Sequence, residues 1–336
     1  MARILITGIA GFIGSSLARA LVSQGHEVRG IDNLSTGNLA NIGDLLPEID
    51  FEAADQNDPV TMRRLCHGTD IVFHQGALPS VPKSVLDPLG SHNANVNGTL
   101  SVLLAARDAG VRRVIYAASS SAYGESPTLP KHEAMVTAPI SPYAVQKLAG
   151  ELYMQSFSKV FALETVCLRY FNVFGPHQSA DSPYSGVLAK FINSMLAGVR
   201  PTIYGDGLQS RDFTYIQNVV EANLLAAWAP SELVNGNVYN IACGESHSLL
   251  ETYDVLANLL DFPDDPLFEE PRTADIQHSL AEITKARRDL GYEPSIGFIE
   301  GLRCTVEWYR SQLEAHDFSW KRAGGSVSRP LAVKVA

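Results

Sequence analysis

The chain has 336 residues, 46% hydrophobic and 18% charged, the proportions of an ordinary soluble globular protein long enough for two lobes. Lys plus Arg number 26 against 36 Asp plus Glu, a formal net charge of -10. This argues against nucleic-acid or anionic-membrane partners and requires any anionic ligand to be held locally. The cysteines Cys66, Cys167, Cys243 and Cys304 are far apart and show no zinc-like spacing, which predicts free thiols in a reducing cytoplasm and no metal site. No apolar run approaches the length of a membrane span, and no internal repeat is visible.

In chain order, Ile4, Leu5, Ile6 and Thr7 read as a short buried strand that runs into Gly8, Gly11 and Gly14. A helix follows, with Leu17, Ala18, Leu21 and Val22 on one face. In such a strand-turn-helix unit Gly8 allows the tight turn and Gly11 allows backbone N–H groups of the first helical turn, including Phe12 and Ile13, to approach a pyrophosphate. Gly14 allows helix and strand to pack closely. The next strand ends in Asp32, about 20 residues on, where a carboxylate can accept both ribose hydroxyls of an adenosine and disfavour a 2′-phosphate. NAD is therefore the expected cofactor.

Strand and helix patterns then alternate: a strand over 50–54, a helix near 58–66, a strand over 71–73, a long helix over 91–108 and a strand over 111–118. Alternation of this kind predicts a doubly wound, Rossmann-type parallel sheet covered on both faces. Asp55 and Gly76 fall at strand ends, the edge where ligands bind. The predicted organisation is a dinucleotide domain over 1–170 with a return near 212–243, and a smaller substrate lobe over 171–211 and 244–315. A tail over 321–336 carries no chemistry.

The strand VRRVIYAA leads into Ser119, Ser120 and Ser121, then Tyr123-Gly124; further on, Pro142 opens a helix with Tyr143 and Lys147 one turn apart. Behind a dinucleotide turn, these residues resemble the Ser-Tyr-Lys centre of the short-chain dehydrogenase/reductase superfamily. The resemblance covers residues 3–313 and is closest to the extended nucleotide-sugar branch, in particular UDP-N-acetylglucosamine and UDP-glucose 4-epimerases. It rests on NVNGT, SPYAVQK, LRYFNVFGP, YGDGLQSRDF and RTADIQHSLAEI in that order.

The resemblance implies that Tyr143 is the base, Lys147 its activator and Ser119 the partner of the reacting oxygen, with Ser120 and Ser121 beside the sugar. Bringing a tyrosine from ~10 to ~7 needs about 4 kcal/mol, much of which a neighbouring ammonium can supply. It also implies cofactor contacts from Asn33, Asn95 and Tyr170. Asn172, Leu188, Tyr204, Arg211, Arg272 and Asp275 match residues that hold UDP, with Ser80 near the sugar. The implied reaction removes hydride from C4 to tightly bound NAD and returns it to the opposite face of a 4-keto sugar. His177, Ala274 and Pro79 depart from the branch's pattern and bear on the sugar contacts.

Competing readings share the scaffold. A 4,6-dehydratase would carry an Asp-Glu pair where Ser120 and Ser121 stand, and a uronic-acid epimerase or decarboxylase needs a cation where the loop offers His177, Gln178 and Ser179. A non-catalytic NAD-binding sensor would have lost Tyr143 or Lys147. Relatives restricted to plain hexoses carry a bulky tyrosine where Ser279 stands, so Ser279 predicts room for an N-acetyl group. Its competing role is to cap a helix starting near Leu280. The apolar stripe of Val145, Leu148 and Leu152, with the 91–108 helix, predicts a homodimer.

Overall fold

The structure is a computed structural model and describes residues 1–179, 186–271 and 277–322, with side chains described through residue 314. Its centre is a seven-stranded, all-parallel sheet built from β1 (Arg3–Thr7), β2 (Glu27–Asp32), β3 (Asp50–Ala53), β4 (Ile71–His74), β5 (Arg113–Ser119), β6 (Glu164–Tyr170) and a seventh strand, Asn237–Ile241. The spatial order is seventh-6-5-4-1-2-3. The chain winds outward from β1 to β3 and then returns past β1 to β4, so the winding reverses between β1 and β4. In an open parallel sheet that reversal leaves a crevice at the strand ends.

The apolar runs of β1 and β4 are buried on both faces, with Ile4, Leu5, Ile6, Ile71, Val72 and Phe73 all at zero exposure. Their side chains alternate between two cores: Ile4, Ile6, Ile71 and Phe73 face one, Leu5 and Val72 the other. Helix α1 (Phe12–Ser23) buries Leu17, Ala18 and Leu21. α2 (Pro59–Cys66) is capped by Asp58, whose carboxylate accepts from the Val60 and Thr61 N–H groups.

The helix expected over 91–108 is longer and interrupted. After α3 (Val81–Leu86), the chain is helical through α4 (Pro88–His92), a π turn at Asn93–Asn97 and α5 (Gly98–Asp108). Gln56 reaches into the turn and donates to the Ala94 carbonyl at 2.9 Å, the kind of side-chain insertion that accompanies a π bulge. α6 (Pro142–Val160) starts as its sequence predicts, with Ser141 accepting from the Ala144 N–H and Pro142 in the first turn. A buried bidentate pair, Glu151 with Arg169 at 2.6 and 2.9 Å, fastens α6 to β6.

The remainder is assembled from small pieces. α7 (Val187–Leu196) and α8 (Ile216–Trp228) are joined by short paired segments: Thr202–Tyr204 with Leu267–Glu269, and Ser210–Arg211 with His247–Ser248. A final helix, Phe298–Arg322, runs two residues into the segment read as a tail; residues 323–336 lie outside the described ones. All four cysteines are free, Cys66 and Cys167 buried. Among the described residues no helix is long and apolar enough to cross a membrane.

Candidate functional site

A cleft of about 1410 Å³ opens at the C-terminal edge of the sheet and extends under the smaller lobe. That exceeds the usual ~300–1,000 Å³ of a single small-molecule pocket and leaves room for two ligands side by side.

Its first half is a backbone cradle. Gly8 has φ +69°, and a Cβ there would lie 2.7 Å from the Gly76 Cα; a Cβ on Gly14 would lie 2.1 Å from the Gly8 carbonyl oxygen. Both glycines are thus sterically required, Gly14 for helix-strand packing. Gly11 is the N-cap residue of α1 and no side chain caps it, so the first-turn N–H groups at Phe12 and Ile13 are available to an anion.

Asp32 closes the far side, its carboxylate accepting from the Ala10 N–H at 3.0 Å and the Leu34 N–H at 2.8 Å. Burial raises its pKa above the usual carboxylate range, with those two bonds opposing. Beside it Asn33 donates to Asp55 at 3.0 Å. Burial pushes Asp55 up, but the Asn57 N–H and the Asn33 and Asn57 amides leave its carboxyl below the ordinary range. The glycine cradle, the uncapped helix and the cleft-lining Asp32 carboxylate fit NAD.

Ser119, Tyr143 and Lys147 come together near the end of β5. Ser119 caps the 3₁₀ turn Ser120–Tyr123, its Oγ accepting from the Ser121 N–H at 3.2 Å and the Ser121 hydroxyl at 2.8 Å. The Ser119 hydroxyl lies close enough to Tyr143 to favour its ionised form. Of the three serines, Ser119 is therefore the one paired with Tyr143, Ser121 orients it, and all three line the cleft.

Lys147 differs from expectation. Its ammonium donates to the Ala117 carbonyl at 2.8 Å and lies 5.0 Å from the Tyr116 ring centroid, and burial lowers its pKa to about 7. Burial raises the Tyr143 pKa, and the neighbouring Ser119 hydroxyl opposes it. The Lys147 ammonium is engaged by the strand carbonyl.

Tyr170 lines the cleft, and its hydroxyl meets Gln75 and Asn223; burial pushes it up to about 12, so it is a neutral wall. Asn95 does not reach the cleft surface. It is 1% exposed and serves as a strut, accepting from the Leu78 N–H at 2.7 Å and donating to Gln146 at 2.8 Å. Its amide is spent on these internal bonds.

In the second half, Ser80, Asn172, Arg211 and Ser279 line the cleft. Ser80 also caps α3. Asn172 has φ +32° and donates to the Asp212 carbonyl at 3.0 Å. Arg211 donates to the Ser210 and Gln277 carbonyls at 3.0 and 3.2 Å. Ser279 sits on an extended segment, its N–H donating to the Ser210 carbonyl at 2.9 Å. The next helix starts only at Thr284 with Ile283 as its cap, so Ser279 caps nothing and that competing role is removed.

Leu188 is 2% exposed and belongs to the core; only its backbone, in the uncapped first turn of α7, can serve a ligand. Tyr204 is not among the cleft-lining side chains; it sits on the short strand paired with Leu267–Glu269. Arg272, Ala274 and Asp275 lie outside the described residues. Pro79 and His177 line the cleft, His177 against Trp308 with ring centroids 5.1 Å apart.

Sequence reasoning missed the contribution of the last helix, whose Trp308, Tyr309 and Gln312 border the cleft; nothing in a generic amphipathic helix marks those positions. It also missed Asp212, a fully buried carboxylate accepting from the Cys243, Gly244 and Ala281 N–H groups at 2.9, 3.0 and 3.1 Å. Burial pushes it up to about 7 against those bonds. A charged residue directly before the run Phe213-Thr214-Tyr215-Ile216 was the available signal.

The model of the NAD-dependent epimerase/dehydratase family matches residues 4–242. The chain is 37% identical to a UDP-glucose 4-epimerase of Mycolicibacterium smegmatis, over 92% of this chain and 99% of that one. It is 31% identical to a UDP-N-acetyl-alpha-D-glucosaminuronate decarboxylase of Bacillus cytotoxicus, over 92% and 98%. It superimposes with a TM-score of 0.89 and 38% identity on the UDP-N-acetylglucosamine 4-epimerase of Methanobrevibacter ruminantium M1 in complex with UDP-N-acetylmuramic acid, covering 93% of this chain and 99% of that one.

Proposed function

We propose, because this chain belongs to the NAD-dependent epimerase/dehydratase family, that it interconverts the C4 epimers of UDP-hexoses and accepts the UDP-GlcNAc/UDP-GalNAc pair as well as UDP-glucose/UDP-galactose. The observation that carries the substrate reading is Ser279, a small side chain on the cleft wall beside Arg211 with no capping duty. A tyrosine there would fill the space an acetamido group needs, and overpacking costs ~1–3 kcal/mol, or roughly 5- to 150-fold.

In this reading Tyr143 takes the proton of the C4 hydroxyl while Ser119 holds that oxygen. NAD, when bound, would accept the C4 hydride and give it back to the sugar within the same turnover. Lys147 must swing its ammonium from the Ala117 carbonyl toward Tyr143 to stabilise the phenolate, a rotation its four-carbon stem allows. Asn172, Arg211, the Leu188 N–H, Arg272 and Asp275 hold UDP, so that the sugar can turn while its anchor stays fixed; Tyr204 does not line the cleft and is left out of this set. The decarboxylase relative marks the competing uronic-acid reading, for which the loop at His177, Gln178 and Ser179 offers no arginine.

The test is kcat/KM for both substrate pairs in the wild type and in Ser279→Tyr. Selective loss of the acetylated pair supports the assignment. If the two pairs fall together, the substrate reverts to an unspecified UDP-hexose.

The same reading includes a homodimer through α5 and α6. Val145 and Leu152 are 51% and 57% exposed, so the predicted stripe is not consumed by the sheet. Light scattering at micromolar concentration should give twice the chain mass; a monomer would refute the pairing.

A further inference from the structure

Behind the cleft a line of buried side chains crosses the molecule from β1 to α6. The Gly76 N–H donates to Thr7 Oγ1 at 3.0 Å, and Thr7 Oγ1 lies 2.7 Å from His74 Nδ1. On the other side of the ring, His74 Nε2 lies 2.9 Å from Thr99 Oγ1, and the Thr99 hydroxyl donates to the Asn95 carbonyl at 2.7 Å. The Asn95 amide then donates at 2.8 Å to Gln146, the neighbour of Lys147. Thr7, His74, Thr99, Asn95 and Gln146 are each no more than 4% exposed.

The order of donors settles the ring. Thr99 has one proton and gives it to the Asn95 carbonyl, so its oxygen must accept from Nε2–H. Nδ1 is then bare and accepts from the Thr7 hydroxyl, whose oxygen accepts the Gly76 N–H. Every proton in the line then has one acceptor, and the histidine is neutral. Burial, with the nearby Lys147 charge as a smaller cause, lowers its pKa to about 3. Tyr116 stands beside it, ring centroids 5.5 Å apart, and is raised by its own burial.

We propose that His74 is a positioning residue for the epimerisation: as a fixed Nε2–H tautomer it locks the Gly76 wall of the dinucleotide cleft to the helix that carries Tyr143 and Lys147. The proposal rests on the function given above. A histidine is suited to the task because it is the side chain that can accept at one ring atom and donate at another while staying rigid. Each bond can be broken alone. Thr7→Val cuts the leg to Gly76, and Thr99→Val cuts the leg to Asn95 and α6, both without changing side-chain shape.

The experiment isolates folded protein, measures NAD released per chain on denaturation, and determines kcat and KM for UDP-glucose on the NAD-loaded fraction. Thr7→Val should lose bound NAD, falling well below one per chain. Thr99→Val should keep NAD and KM but lose roughly tenfold in kcat, since small displacements of a reacting group carry penalties of this order. Thr99→Ser, which retains the hydroxyl, should restore kcat. His74→Asn can place its amide at the Nδ1 position only and should resemble Thr99→Val. If the NAD-loaded Thr99→Val and His74→Asn proteins turn over at the wild-type kcat, or if Thr7→Val keeps its full NAD, the proposal is overturned. A wild type that retains NAD but epimerises no UDP-sugar counts against the function instead, and the NAD content of Thr7→Val still decides the cofactor leg.

Discussion

The two halves of the cleft are built by different means. The dinucleotide half is backbone packed on backbone: Gly14 against the Gly8 carbonyl and Gly8 against Gly76, with no space for even a methyl group. The sugar half is made from side chains on loops and two- and three-residue paired segments, with Ser279 held through bonds of its main chain to Ser210 and Ser246. The first arrangement tolerates no change, which suits a cofactor used identically in every turnover. The second can exchange one side chain without disturbing a sheet, which suits a wall that sets substrate size.

The largest expected effect lies where the halves meet. Tyr143→Phe should leave UDP-sugar KM near the wild-type value and lower kcat by ~100-fold or more, the usual scale for removing a general base. Turnover near wild type would remove Tyr143 from its role. Next, Gly14→Ala should destabilise the dinucleotide half by ~1–3 kcal/mol, because the Cβ would lie 2.1 Å from the Gly8 oxygen. Thermal melting and NAD content read this directly, and a variant with unchanged melting would break the contrast between a rigid and a permissive half. Smallest is Ser279→Ala, which deletes a hydroxyl but no main-chain contact. It should change kcat/KM for either substrate pair by no more than about tenfold, the range of one hydrogen bond. A larger loss would mean that the sugar wall is as tightly specified as the cradle.

The same contrast explains what was legible in the sequence. The cradle is written locally: a strand, three glycines, a helix and Asp32 stand within one short stretch, and a parallel sheet follows from the alternation of elements. Ser119, Tyr143 and Lys147 were picked out by the resemblance to a Ser-Tyr-Lys centre, since a serine at a strand end and a Tyr and Lys one helix turn apart are not specific alone. What could not be read was decided by contacts distant in sequence. Asn95 looks like a ligand residue until its amide is seen spent on Leu78 and Gln146. Trp308 reaches the cleft only because the last helix folds back over His177. The competing role of Ser279 as a cap was decided only by where the helix begins, at Thr284. The orientation of Lys147 was not readable either, since one rotamer choice separates the Ala117 carbonyl from Tyr143.

The most direct measurement is product analysis by NMR after incubating the purified protein separately with UDP-GlcNAc and UDP-glucose, with no cofactor added. The account predicts inversion at C4 in both sugars, giving UDP-GalNAc and UDP-galactose, sustained by NAD that stays with the chain. Recovery of unchanged UDP-sugars, or a product altered at C5 or C6 with C4 intact, would contradict it.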